Sequence, residues 1–225
     1  NAFYGSSIES IKIPSSLVDL KEGWCSGITK LIKIEVDLNN PRYSIYDNKY
    51  LIGKTSTSQS YYDLFIFCPC NIIKHICSYA FSECLQLRTV EFSSDSKLQT
   101  IGKYAFYKTL IESISIPQHL THIGEYAFQH CNKLRKVEIP SDSKLQTIDK
   151  YAFSYSLIES FSIPPLMSKI SESLFYNCQK LRKIEIKDNS KLQIISKTAF
   201  SYSKIESFTI PVSLTQIDKM AFANC

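Results

Sequence analysis

Long apolar runs, glycine-rich loops and glycosylation sequons are all missing from this chain of 225 residues. No apolar stretch approaches the ~18 residues of a membrane-spanning helix, so we expect no membrane insertion within it. The six glycines form no phosphate-binding loop and no nucleophile elbow. No complete Asn-x-Ser/Thr sequon occurs, so N-glycosylation is not needed here. These absences remove the usual sequence signs of a membrane segment and of an enzyme.

The histidines offer little chemistry. His119 and His122 form an HxxH pair with His130 nearby, but no carboxylate or cysteine completes a site that equivalent positions preserve. We interpret them as surface-turn residues, with a metal site as the alternative. We therefore predict no enzymatic activity, no cofactor and no bound metal.

A period of 47 residues organises the chain. One copy runs from Asp142 to Lys187, and close copies begin at Asp95 and Asn189. The same step separates Pro117, Pro164 and Pro211, and also Cys84, Cys131, Cys178 and Cys225. A fixed period of this length indicates a solenoid, in which each unit buries its apolar side against its neighbours.

Each period contains two rungs, because the recurring phenylalanines alternate at steps of 25 and 22 residues. They are Phe81, Phe106, Phe128, Phe153, Phe175, Phe200 and Phe222. Each rung has apolar residues at strand spacing, as in Leu134, Val137 and Ile139, followed by a turn and an Ala-Phe pair. The pattern predicts an α/β solenoid with a parallel inner β-sheet and short helical or 3-10 turns outside.

The spacing LxxIxIPxxLTxIGxxAFxxC, found from Ile111 to Cys131, closely resembles the BspA-like leucine-rich repeat family. The match recurs about eight times in register and covers almost the whole chain. The resemblance implies a right-handed leucine-rich-repeat superhelix. It also implies a surface protein of mucosal bacteria or protozoa that binds host cells or matrix.

We expect residues 1–225 to form a single leucine-rich-repeat solenoid fragment of about nine rungs. Both ends fall in mid-rung, so we expect a piece of a longer protein. The period breaks near residues 37–61, where alternating residues around Asp47-Asn48 predict a hairpin. This hairpin is either a surface elaboration without a role or a protruding lip beside the inner sheet.

Two features of the first rungs depart from the pattern. Trp24 stands near the expected phenylalanine, and we expect it to fill the same pocket. Ile32, Leu64 and Ile66 occupy outward positions and predict an apolar patch, covered either by the hairpin or by a partner.

From Leu87 onward, the outward strand positions form columns of charged and small polar residues. We predict that the concave face binds protein through Arg88, Glu112, Arg135, Lys136, Glu138, Glu159, Arg182, Lys183, Glu185 and Glu206. Opposite charges become neighbours on adjacent strands, which are ~4.8 Å apart. The alternative is that these charges only set strand register.

The net charge of +5 does not predict a nucleic-acid partner, because this face is neutral and alternating. Excess lysines recur on or after the turns, at Lys97, Lys144 and Lys191 and at Lys103, Lys150 and Lys197. We interpret them as solvated turn residues, with a polyanion site as the alternative.

The recurring cysteines are two rungs apart, or ~10 Å, whereas a disulfide needs Cα atoms within roughly 7 Å. We therefore expect Cys84, Cys131, Cys178 and Cys225 to be buried apolar fillers. The sequence leaves undecided whether a disulfide forms among Cys68, Cys70 and Cys77. It also leaves undecided whether the protein occupies an oxidising or a reducing compartment.

The function that the resemblance implies is protein binding by a cell-surface or secreted protein. We expect an adhesin-like or antigenic protein that contacts host or matrix protein through the concave sheet. The alternative is an intracellular scaffold or sensor that uses the same sheet.

Overall fold

The computed structural model describes residues 2–16, 28, 33–36, 53–54, 64–68, 74–92 and 94–225. These residues form a β-solenoid whose rungs stack through parallel strands. Strands of three to six residues line one side: β1 (Ser10–Ile13), β2 (Lys33–Val36), β4 (Leu64–Cys68), β6 (Leu87–Phe92), β8 (Ser113–Ser115), β10 (Lys136–Glu138), β12 (Ser160–Ser162) and β14 (Lys183–Glu185). Two-residue strands account for the rest: β3 (Gly53–Lys54), β5 (His75–Ile76), β7 (Thr100–Ile101), β9 (His122–Ile123), β11 (Thr147–Ile148), β13 (Lys169–Ile170), β15 (Ile194–Ile195) and β16 (Gln216–Ile217).

The longer strands confirm the predicted parallel sheet. β1 pairs with β2, β4 is followed by β6, β8 and β10 in one sheet, and β12 pairs with β14, all in parallel. The amide of Glu159 donates to the carbonyl of Arg135 at 3.2 Å, which links the rungs of β10 and β12. Strands β8, β10 and β14 alternate as predicted: in β8, Ile114 is buried while Ser113 and Ser115 on either side are exposed.

A second side of the solenoid carries a parallel ladder that the sequence did not predict. The two-residue strands β5, β7, β9 and β11 stack in order, as do β13, β15 and β16. Ile101, Ile123 and Ile148 each lie within this ladder with no exposed surface. Rungs approach closely beside it: a Cβ on Gly102 would lie 2.4 Å from the backbone nitrogen of Ser78.

The recurring phenylalanines form a buried spine along the third side. Neighbouring rings stack from Phe81 to Phe222, with centroids 5.1 to 5.9 Å apart. Phe106, Phe128 and Phe153 have no exposed surface. Each spine residue therefore bridges two rungs, as expected of units that cannot bury an apolar face alone.

The predicted helical and 3-10 turns on this side are wrong: within the described residues the chain forms hydrogen-bonded turns and no helix. The amides of Tyr104, Phe106 and Lys108 donate to carbonyls of the next rung at 2.8 to 2.9 Å. Between them, the amides of Ala105 and Tyr107 donate to the residue three positions back. Because every second amide bonds to the neighbouring rung, the i to i−4 bonds of an α-helix cannot form.

Backbone angles repeat on the same side. Two residues per rung, four apart, have φ between 52° and 60° although none is glycine. They are Tyr79 and Glu83, Tyr104 and Lys108, Tyr126 and His130, Tyr151 and Tyr155, Ser173 and Asn177, Thr198 and Tyr202, and Met220 and Asn224. Residues other than glycine rarely adopt this conformation, so inter-rung bonding overrides the local preference.

The hairpin predicted near residues 37–61 lies outside the described residues, apart from β3. That strand pairs antiparallel with β4, placing Gly53 opposite Phe65 and Lys54 opposite Leu64. The pocket predicted for Trp24 also lies outside the described residues. Strand β3 is thus an antiparallel strand in an otherwise parallel sheet.

Candidate protein-binding face

The charged face comprises the ten predicted residues: Arg88, Glu112, Arg135, Lys136, Glu138, Glu159, Arg182, Lys183, Glu185 and Glu206. Its first column alternates arginine and glutamate on successive rungs, as the sequence predicts. Three ion pairs follow this pattern: Arg88 with Glu112 at 3.6 Å, Arg135 with Glu159 at 3.2 Å, and Arg182 with Glu206. Each arginine thus pairs with the glutamate of the following rung.

A second set of contacts involves the lysines and the remaining glutamates of the charged face. Glu138 and Glu185 each accept hydrogen bonds from a lysine two residues earlier and from a serine one rung earlier. Glu138 contacts Lys136 at 2.5 Å and Ser115 at 2.6 Å, and Glu185 contacts Lys183 at 2.7 Å and Ser162 at 2.7 Å. The hydrogen bond from the lysine and, to a smaller extent, the one from the serine hold the pKa of both carboxyls below the ordinary value. Both glutamates therefore stay ionised at neutral pH.

The charged face is open to solvent and locally neutral. The side chains of Arg135 and Glu159 are 59% and 61% exposed. With Lys136 and Glu138 they contribute two positive and two negative charges to one period. Exposed pairs of this kind each contribute about 0 to 1 kcal/mol to stability. The face thus offers fixed donors and acceptors without a net field that would attract a polyanion.

The predicted apolar patch is described only through its backbone. Ile32 lies outside the described residues. Backbone pairing sets Leu64 opposite Leu87 and Ile66 opposite Val90, and both of these partners are buried. The side chains of Leu64 and Ile66 lie outside the described set, so the patch stays a prediction.

Sequence reasoning missed a tyrosine stack on the turn side, formed by Tyr79, Tyr104, Tyr126 and Tyr151. Neighbouring rings are nearly parallel, with centroids 4.6 to 5.0 Å apart. A tyrosine directly precedes the Ala-Phe pair in these four rungs, and that repetition is the signal that could have revealed the stack. Burial and the neighbouring tyrosines raise the pKa of Tyr104. Its hydroxyl therefore remains a neutral donor at physiological pH.

One histidine contacts a carboxylate, and another bonds to a hydroxyl group. His122 Nε2 lies 3.2 Å from Asp149 Oδ2, and burial raises the pKa of Asp149 although His122 opposes the shift. His75 bonds to the Thr100 hydroxyl at 2.8 Å. In the part of the chain that the structure describes, no group of three or more His, Cys, Asp or Glu side chains could hold a metal ion.

Cys84, Cys131 and Cys178 are buried at the rung corners, as predicted, whereas Cys225 is exposed, so its predicted burial is wrong. Cys131 and Cys178 have no exposed surface, and each thiol donates to a phenylalanine carbonyl at 3.2 Å. Burial raises the pKa of Cys131 to about 12 and that of Cys178 to about 11. Both thiols are free, as is the exposed thiol of Cys77. Cys70 and the side chain of Cys68 lie outside the described set.

Comparison with known proteins identifies the repeat. The family model described as a BspA type leucine rich repeat region matches six copies, over residues 1–64, 65–182 and 99–225. The chain belongs to the BspA-type leucine-rich repeat family. Its parallel rungs, phenylalanine spine and corner cysteines are thus the structure of this BspA-type repeat. Among the described residues, no helix has the length and apolar character needed to cross a membrane.

Solved structures support this fold. A leucine-rich repeat protein from Eubacterium ventriosum is 26% identical, with a TM-score of 0.67 over 99% of this chain and 60% of that protein. The BspA-type chain thus spans less than two thirds of the Eubacterium protein's length. The pneumococcal vaccine antigen PcpA is 18% identical, with a TM-score of 0.50 over 95% of this chain and 69% of that one. The search of curated proteins gives no significant match.

Proposed function

We propose that the chain is a protein-binding module of an adhesin-like or antigenic surface protein, and that its charged face contacts a host or matrix protein. The observation that carries the proposal is the ordered array of ion pairs across successive rungs, led by Arg135–Glu159. A repeated array on a rigid sheet can recognise an extended partner through many weak, correctly placed contacts. The surface setting rests on membership of the BspA-type family.

The electrostatics of the face favour a protein over a nucleic acid as partner. Arginine and lysine alternate with glutamate, so an oligonucleotide would meet as many repelling as attracting groups. A protein surface can supply both signs in a complementary pattern. Charge complementarity of this kind chiefly determines specificity and the association rate.

The test is a binding screen of the BspA-type chain against purified extracellular-matrix and cell-surface proteins at two salt concentrations. For any binder, Arg135→Glu is compared with Lys144→Glu, which makes the same charge change on an exposed turn. We expect Arg135→Glu to weaken binding about tenfold, which corresponds to about 1.4 kcal/mol. Lys144→Glu should change binding much less.

A double variant separates local geometry from net charge. Arg135→Glu with Glu159→Arg keeps the ion pair and the total charge but reverses its direction. A partner that recognises the direction of the ion pair should still bind this double variant weakly, although the total charge is unchanged. Equal losses for Arg135→Glu and Lys144→Glu would indicate nonspecific attraction and contradict the proposal.

A further inference from the structure

A second aromatic surface lies beside the tyrosine stack. We define the aromatic row as Tyr107, His130, Tyr155, Tyr176 and Tyr202. His130 stacks on Tyr155 at 4.3 Å and meets Tyr107 edge-on at 6.0 Å. Tyr176 continues the row, at 5.6 Å from Tyr155 and 5.5 Å from Tyr202. The row therefore crosses successive rungs, from the rung of Tyr107 to that of Tyr202.

Neighbouring groups already cover one face of three of these rings. His130 and Tyr155 cover one another, and the ammonium group of Lys108 lies 5.0 Å from the centre of the Tyr107 ring. Tyr202 is 45% exposed, and the other four residues of the row are half-buried. Nucleic-acid bases bind mainly to free aromatic faces, so this row is poorly suited to them. Tyrosine edges and hydroxyls are, by contrast, common at protein interfaces.

A basic edge borders the aromatic row. The rung corners that follow it carry Leu85, Gln86, Leu110, Asn132, Lys133, Leu157, Gln179, Lys180 and Lys204, and no carboxylate. Lys133, Lys180 and Lys204 are exposed, and none forms an ion pair with a described residue. Lys133 is three residues from His130, so their Cα atoms are at most ~10 Å apart. A carboxylate does occur at the start of this side, where Glu83 pairs with Lys108 at 2.9 Å.

We propose that the aromatic row and this basic edge form a docking surface for an extended acidic segment of a partner protein. Lysine ammonium groups can only donate hydrogen bonds and the tyrosine hydroxyls readily donate, so carboxylates are their natural acceptors. Lys133 and Lys180 lie two rungs apart, or ~10 Å. A segment in the polyproline II conformation advances ~3.1 Å per residue with three residues per turn, so acidic residues at every third position lie on one face at about this spacing. Leu157 lies between these two lysines and Leu110 lies one rung before Lys133, and both supply apolar contact.

The probe is a labelled peptide that repeats Glu-Leu-Ser, with a matched peptide that repeats Gln-Leu-Ser. Binding to the whole chain is measured by fluorescence anisotropy. The double variant Lys133→Gln/Lys180→Gln is compared with Lys97→Gln/Lys144→Gln, which removes the same charge from exposed turn lysines with the same 47-residue separation. We expect about a tenfold loss for the first variant and less than about a twofold loss for the second.

A separate variant tests the aromatic contribution. Tyr155→Asn keeps a residue that tolerates the positive φ of 60° at this position, so the backbone should be retained. Circular dichroism verifies folding, and affinity for the acidic peptide should fall several-fold. An unchanged affinity in a folded Tyr155→Asn chain would remove the row from the proposal and so overturn it.

Several outcomes overturn the proposal directly. They are failure of the acidic peptide to bind the unmodified chain, equal binding of the glutamine peptide, and equal losses for the two lysine variants. Tighter binding of heparin or single-stranded DNA through the same lysines would assign the surface to another polyanion, which also overturns it. The Arg135→Glu variant should bind the acidic peptide normally, which separates this result from the fate of the charged face.

Discussion

The corner cysteines give a quantitative test of the buried interior. Cys131 has no exposed surface, and burial raises its pKa to about 12 from an ordinary value of 9.0. At pH 8 the thiolate fraction is then about 1 in 10,000, compared with about 1 in 10 for an unburied cysteine. Alkylation requires the thiolate, so this effect alone slows the reaction about 1,000-fold.

The assay is timed alkylation with iodoacetamide at pH 8, followed by mass spectrometry of the cysteine-containing peptides. Cys77, whose thiol is exposed, serves as the internal reference, and denatured protein gives the unprotected rate. We expect Cys131 to react at least about 100-fold more slowly than Cys77, even if brief local opening admits the reagent. Reaction of Cys131 within tenfold of Cys77 would refute a buried rung corner.

The same thiol predicts a dependence of stability on pH. The folded chain keeps the Cys131 proton above pH 9, where the unfolded chain begins to release it. The contribution of the protonated Cys131 thiol to the free energy of unfolding is therefore complete below about pH 9 and is lost as pH rises toward 12. Chemical denaturation from pH 8 to 10 should show a shallower alkaline decline for Cys131→Ala than for the unmodified chain. Parallel declines would contradict the raised pKa.

Two further substitutions test the turn side. Phe153→Ala removes a buried ring that stacks on Phe128 and Phe175. The free energy of unfolding measured with urea should therefore fall by about 3 to 5 kcal/mol. A fall below about 1 kcal/mol would contradict the buried phenylalanine spine. At Asn177, where φ is 56°, glycine should be more stable than alanine by about 1 kcal/mol in the same assay. At Asn132, which lacks a positive φ, alanine should equal or exceed glycine, and the same order at both sites would show that backbone conformation is not the cause.

The strand side of the fold could be predicted because its chemistry is periodic. Val137 and Ile114 recur at the same position in their rungs, and the structure pairs them in register. The lateral Arg135–Glu159 contact followed from that register alone. The pairing of Lys136 with Glu138 did not, because it depends on side-chain conformations within one strand.

The turn side could not be predicted for a different reason. Ala105 and Phe106 suit a helix, and nothing in the sequence marks Tyr104 and Lys108 as residues of positive φ. Their conformations come from hydrogen bonds to the next rung, which local preference does not reveal. The tyrosine stack and the aromatic row depend on this same backbone, so both were missed with it.

The second parallel ladder was missed because its strands are only two residues long. Ile148 shows no alternation over so short a span, and its spacing from Leu145 and Phe153 favoured a helical turn. Stacking with Ile123 of the preceding rung decides the conformation instead. A contact between residues 25 apart outweighs the local pattern here.

The central claim is that consecutive rungs stack as parallel strands in a fixed register, since both proposed surfaces depend on it. Ser115 and Glu138 are register partners, so their Cα atoms should be ~4.8 Å apart, within the range that a disulfide spans. Ser115→Cys with Glu138→Cys should therefore form a bridge on mild oxidation of the dilute chain, detected by mass spectrometry of the linked peptides. Ser113→Cys with Glu138→Cys, offset by two residues, should not. A bridge in the offset pair, or none in the matched pair, would contradict the solenoid register.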